Sequence, residues 1–138
     1  MTETPPELAR LQGELYRSLW RQEYLPPQTL ELCRLRLAQL HRCEQESRRS
    51  DWDVADGKRA ELAAWPGDPQ FSAAERACLE FTELYAMDVL AISDEQAAAV
   101  QAHFGDAGLV MLIEALGIFD GKTRLALLWN TEATQGGV

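Results

Sequence analysis

The sequence predicts an all-α fold. Three observations carry that prediction. Apolar residues recur at helical spacing in most stretches between breakers. Pro, Gly and Ser-x-x-Glu/Gln signals stand where helices would start and stop. No segment alternates apolar and polar residues with turn pairs between, as half-buried strands would.

The elements follow in order. Pro5 and Pro6 precede a periodic stretch from Glu7 to about Tyr24, with Leu8, Leu11, Leu15 and Leu19 at helical spacing. Pro suits a helix start because the N–H it lacks would be unpaired there anyway. Pro26 and Pro27 stop this helix and start a second, Gln28 to His41. Leu30, Cys33, Leu37 and Leu40 form its stripe, and Leu32 and Leu35 widen it. So wide an apolar face implies a central helix covered on more than one side. A polar third helix is expected from Cys43 to Gly57, with the glycine past its end. A short helix, Lys58 to Trp65, runs into Pro66-Gly67-Asp68-Pro69. Ser72 and Glu75 form a capping box that opens a helix to about Met87, and Ser93 and Gln96 open another to Phe104, closed by Gly105. Asp106 caps the last long helix, Ala107 to about Asn130. Gly117 and Gly121 inside it point to close helix approach or a kink. The tail Thr134 to Val138 is expected to be loose.

The length of 138 residues predicts one domain, residues 1–138. Hydrophobic residues at 46% and charged residues at 25% suffice for a packed core. Net charge is -9, with a pI near 4.7. Such a surface repels phosphate backbones and anionic bilayers, so neither a nucleic-acid nor a membrane partner is expected. No run approaches the roughly 18 uncharged apolar residues of a membrane span, since Glu114 interrupts Leu109 to Phe119. The acidic N-terminus has no apolar signal core, so the expected address is cytoplasmic. Cys33, Cys43 and Cys78 are widely spaced and suit reduced thiols. No CxxC pair occurs, and His41 and His103 are far apart, so no metal is expected. Gly117-Ile118-Phe119-Asp120-Gly121 follows no strand, which argues against a phosphate loop, and no cofactor is expected.

Chemistry concentrates between Leu25 and Gly57. Cys43, Glu46 and Ser50 fall on one face of the expected third helix. A thiol at a helix start feels the positive end of the dipole, which favours thiolate. Glu46 on that face is positioned to exchange a proton, as a general acid if burial keeps it protonated. Glu31 either compensates the dipole at the start of the second helix or aims at the thiol. His41 sits where a helix C-terminus favours a cation. Arg48, Arg49, Asp51, Asp53 and Asp56 read as a solvated face with local ion pairs. Cys33 and Cys78 read as core. Trp52, Trp65, Phe71, Phe81, Tyr85, Phe104, Phe119 and Trp129 read mostly as core or interface anchors.

Taken in sequence, the pieces LPPQTLELCRLRLAQLHRC, AAWPGDPQFSAAERACLEFTE, ISDEQAAAVQAHFGDAGLVMLIEALGIF and GKTRLAL resemble the carboxymuconolactone decarboxylase and alkylhydroperoxidase AhpD-like family. The resemblance runs from about Leu25 to Asn130. It implies an all-helical bundle that assembles as a trimer or hexamer. The broad apolar faces of the second and last helices independently suggest burial between copies of the chain. The AhpD-like peroxidases use a Glu, then twelve residues on a CxxC pair, then a His four residues beyond. Carried over, Glu31 takes the Glu position and Cys43 that of the first Cys. Glu46 stands at the second Cys and Ser50 at the His. Glu46 forms no disulfide and Ser50 relays no proton as imidazole would. One-cysteine chemistry at Cys43, resolved by an external thiol, remains open. The resemblance therefore implies a thiol-dependent peroxide reductase. The alternatives are a decarboxylase-like enzyme on a small organic acid, using Glu31 and Glu46 with Arg48 or Arg124 on the substrate carboxylate, or a catalytically silent binding oligomer.

Overall fold

The computed structural model describes residues 3–129, and all its regular elements are helical. They are α1 (Pro6–Leu19), α2 (Pro27–Leu40), α3 (Glu44–Arg48), α4 (Asp56–Ala60), α5 (Ala73–Met87) and α6 (Asp94–Trp129), with 3-10 turns at Leu62–Gly67 and Val89–Ala91. The expected helix end at Asn130 and the tail lie outside the described residues.

Helix α2 is the centre. It packs against α5 and α6, with α3 and the Leu62–Gly67 turn laid over it. Leu30, Leu32, Cys33, Leu35 and Leu37 are all buried, so the broad apolar face is covered on several sides. Leu79 and Phe81 of α5 and Leu112, Leu116 and Phe119 of α6 complete the core.

The sequence signals place most helix starts. Pro27 opens α2 and Pro6 opens α1. The Ser72–Glu75 box forms in full, with the Glu75 amide donating to the Ser72 hydroxyl at 3.1 Å and the Ser72 amide to Glu75 at 2.8 Å. Gly105 breaks α6 as expected, into residues 94–104 and 106–129. Its φ of 71° and ψ of -179° are open in practice only to glycine.

Three of the expected helices differ in their boundaries. Helix α1 closes at Leu19, not Tyr24, because the Gln22 side chain caps the following turn. It accepts from the Tyr24 and Leu25 amides and donates to the Leu25 carbonyl. Helix α3 ends at Arg48, not Gly57. Side chains from elsewhere take the carbonyls that would otherwise lack partners: Arg34 and Arg59 donate to the Arg49 carbonyl, and Arg59 also to that of Ser47. Gly57 accordingly sits inside α4, with no left-handed backbone. The expected Lys58–Trp65 helix divides into α4 and a 3-10 turn that runs through Pro66. Gly117 and Gly121 cause no kink, and a Cβ at Gly121 would meet nothing within 4 Å.

By length and composition α6 would pass for a membrane-crossing helix. In this fold it is broken at Gly105 and carries Leu112, Leu116 and Phe119 into the core. The stripe on α1 behaves differently from the core helices. Leu19 is buried, whereas Leu8, Leu11 and Leu15 are 48%, 47% and 52% exposed.

Candidate active site

The link from α2 to α3 places Cys43. Helix α2 ends in a Schellman motif: the Arg42 amide donates to the Gln39 carbonyl and the Cys43 amide to that of Ala38, at 3.0 and 2.9 Å. Arg42 takes the left-handed position usually given to glycine, with φ of 55°. Cys43 then serves as the N-cap residue of α3, its carbonyl accepting from the Ser47 amide at 3.0 Å. Both helices thus fix its backbone, and its side chain is buried.

The chain also buries charge between α2 and the segment from α3 to Trp52. Glu31 and Arg34, one turn apart on α2, are fully buried and form a two-pronged pair at 2.6 and 3.0 Å. Arg34 also donates to the carbonyls of Glu46 and Arg49. The second Glu31 oxygen accepts from the Asp51 amide at 2.8 Å and the Trp52 amide at 3.4 Å. Burial opposes the charge on Arg34, but Glu31 and Asp51 outweigh it and raise the guanidinium pKa. A buried ion pair with its remaining donors and acceptors satisfied avoids the cost of a stranded charge.

A second ring of contacts extends this pair. Arg49 donates to Glu46 at 2.8 Å, to Asp51 at 3.0 Å and to the Tyr16 hydroxyl at 3.0 Å. Tyr16, from α1, donates to Asp51. Burial and that hydrogen bond push the phenol pKa well above its ordinary value, so Tyr16 stays protonated. The Lys122 ammonium of α6 stands 3.8 Å from the Tyr16 ring centre. Burial, then the charge of Arg49, lowers the Lys122 pKa. Three elements far apart in sequence therefore meet around Tyr16.

The sequence-derived candidates divide among these surroundings. Glu31 and Glu46 enter one network, bridged by Arg34 and Arg49. Glu31 lies beyond the first turn of α2, so capping the dipole is not its role. Ser50 lies past the end of α3 and is exposed, its hydroxyl on the Trp52 carbonyl at 3.3 Å. The expected common face of Cys43, Glu46 and Ser50 is therefore broken at Ser50. Arg48 is exposed and pairs with Glu44 on its own helix. His41 bonds Asp120 at 2.6 Å, and Arg124 pairs with the other oxygen of Asp120 at 2.8 Å. That link ties the end of α2 to α6, and Arg124 is already paired.

Arg34, Tyr16 and Lys122 were not among the candidates, and Arg49 and Asp51 were expected on a solvated face. The structure corrects the last two, since both turn inward to Glu46 and Tyr16. Arg34 had a readable signal. It sits four residues after Leu30 and three before Leu37, within the apolar stripe, and Glu31 is one turn away. Among the described residues no group of three His, Cys, Asp or Glu side chains is placed to hold a metal ion.

No family model matches the chain, and no curated protein matches it in sequence. Its fold is similar to that of ATU0492 from Agrobacterium tumefaciens, a protein of unknown function suggested to be an antioxidant defence protein AhpD. The two share 20% identity at a TM-score of 0.77, over 91% of this chain and 90% of that one. The chain therefore has an AhpD-like helical fold.

Proposed function

We propose that this protein is a thiol-dependent hydroperoxide reductase in which Cys43 is the nucleophile. The observation that carries the reading is the different placement of the three thiols. Cys33 and Cys78 lie inside the apolar core, where burial pushes the Cys33 thiol up to about 12 and Cys78 higher still. Neither becomes thiolate near neutral pH. Cys43 lies outside that apolar cluster, at the start of the helix that carries Glu46.

The step balances without a second cysteine. The Cys43 thiolate attacks the outer oxygen of a hydroperoxide, the O–O bond breaks, and the departing oxygen takes a proton and leaves as alcohol. Cys43 becomes a sulfenic acid. An external thiol condenses with it, releasing water, and a second thiol restores Cys43 as an external disulfide leaves. Such thiols are supplied in a reducing compartment, here the cytoplasm. Glu46 is the carboxylate assigned to proton handling. Glu31 holds Arg34 and the 51–52 backbone in place, so its part is positioning.

Turnover of an alkyl hydroperoxide with dithiothreitol tests this. Cys43→Ser abolishes the rate, while Cys78→Ala keeps it. A rate that survives Cys43→Ser sinks the proposal. A catalytically silent oligomer is the second reading, favoured by the 2% exposure of Cys43 and the filled hydrogen-bonding capacity of Glu31. It predicts no turnover with either a hydroperoxide or a small organic acid. In both readings the chain assembles as a trimer or hexamer; the face of α2 is covered within one copy, so the contact falls to the exposed apolar residues of α6, Val110, Ile113, Leu127 and Leu128. A monomer by light scattering at micromolar concentration speaks against that assembly.

A further inference from the structure

A groove of about 590 Å³ runs between α1 and the second part of α6. Leu15, Ile118 and Leu125 give it apolar walls, and at Gly121, on its edge, a Cβ would meet nothing within 4 Å. Its charge is unlike that of the whole molecule. The chain carries -9, yet the groove is lined by two cations, Arg17 and Lys122, and by no carboxylate. Among the described residues neither cation forms an ion pair within 4.0 Å; Glu46 and Asp51 act on Lys122 only at longer range, against Arg49 and Arg34. The Lys122 ammonium stands over the face of Tyr16, 3.8 Å from the ring centre.

An apolar trench with a partly buried ammonium suits a ligand with one anionic end and an aliphatic body. Its size falls within the range of small-molecule pockets. The acidic surface elsewhere would repel such a ligand, so the groove stands apart in charge.

We propose that this groove binds a medium-chain aliphatic carboxylate, its head on Lys122 and its chain along Leu15, Ile118 and Leu125. Arg17 stands at the groove as a second cation for the head. The site is independent of thiol chemistry at Cys43 and stands or falls separately.

Isothermal titration of the full chain with decanoate, butanoate and decanol tests it. Decanoate binds saturably below its micelle concentration, more tightly than butanoate, which lacks the chain, and decanol, which lacks the charge. Gly121→Leu places a side chain in open space, so it folds and blocks the groove. Decanoate affinity falls about tenfold or more in that variant, as expected when burial of an aliphatic chain is lost. Lys122→Gln removes the preference for decanoate over decanol. Decanoate binding that is absent, unchanged by Gly121→Leu, or no tighter than that of decanol overturns the proposal. Two other outcomes also overturn it. Dissociation of an oligomer by Gly121→Leu, without any decanoate binding in the parent, assigns the groove to a second copy. Binding only after removal of residues 130–138 assigns it to the chain's own C-terminal segment.

Discussion

Helix α2 buries two sides in opposite ways. Towards α5 it presents Cys33 among Leu30, Leu37, Cys78 and Leu79, an apolar contact that keeps both thiols protonated. Towards α3 it presents Glu31 and Arg34, equally buried but saturated with hydrogen bonds. Both sides exclude water. The apolar side tolerates approximate partners, because dispersion and the hydrophobic effect are non-directional. The charged side requires each partner in place, because a stranded buried charge costs several kcal/mol.

The largest predicted effect breaks the charged side. Arg34→Ala leaves Glu31 buried without its cation and lowers stability by about 3–5 kcal/mol. Denaturant unfolding measures it, and a loss near that of a surface substitution would show that the pair is dispensable. The next effect sharpens the apolar side. The folded-state pKa of Cys33 is raised above its ordinary value of 9.0 to about 12. The folded state therefore holds its proton more tightly. That contribution is fully present below about pH 9 and is lost as pH rises towards about 12. Stability of the parent should fall across that window, and Cys33→Ala should flatten the fall. An identical alkaline profile in the two proteins would discount the thiol. The smallest effect tests local against tertiary control. Ser72→Ala removes a complete capping box and costs about 1 kcal/mol, read from the same unfolding curves. Ser93→Ala should cost less, since Gln96 bonds the Ser93 amide without a full reciprocal box.

Local signals were legible because they act over three or four residues. Pro27, the Ser72–Glu75 pair and the Gly105 break each operate within their own turn. The end of α3 was not legible. Arg34 and Arg59, ten or more residues from the carbonyls they bind, stop that helix. The candidate site was read in part for the same reason. Glu31, Cys43 and Glu46 stood out by type and spacing, while Arg49 and Asp51 looked like any hydrophilic stretch. Tyr16 looked like one more residue of an amphipathic helix.

The sequence by itself determined the all-helical class, the central rank of α2 and the break at Gly105. Periodicity, capping and glycine's backbone freedom are properties of neighbouring residues. Only the tertiary structure decided which charged groups are interior. A carboxylate and a guanidinium can be buried when partners converge on them, and here those partners come from α1, α2, α3 and the 49–52 segment. The groove beside Lys122 exists for the same reason: α1 and α6 have to meet before Leu15, Ile118 and Leu125 can wall it.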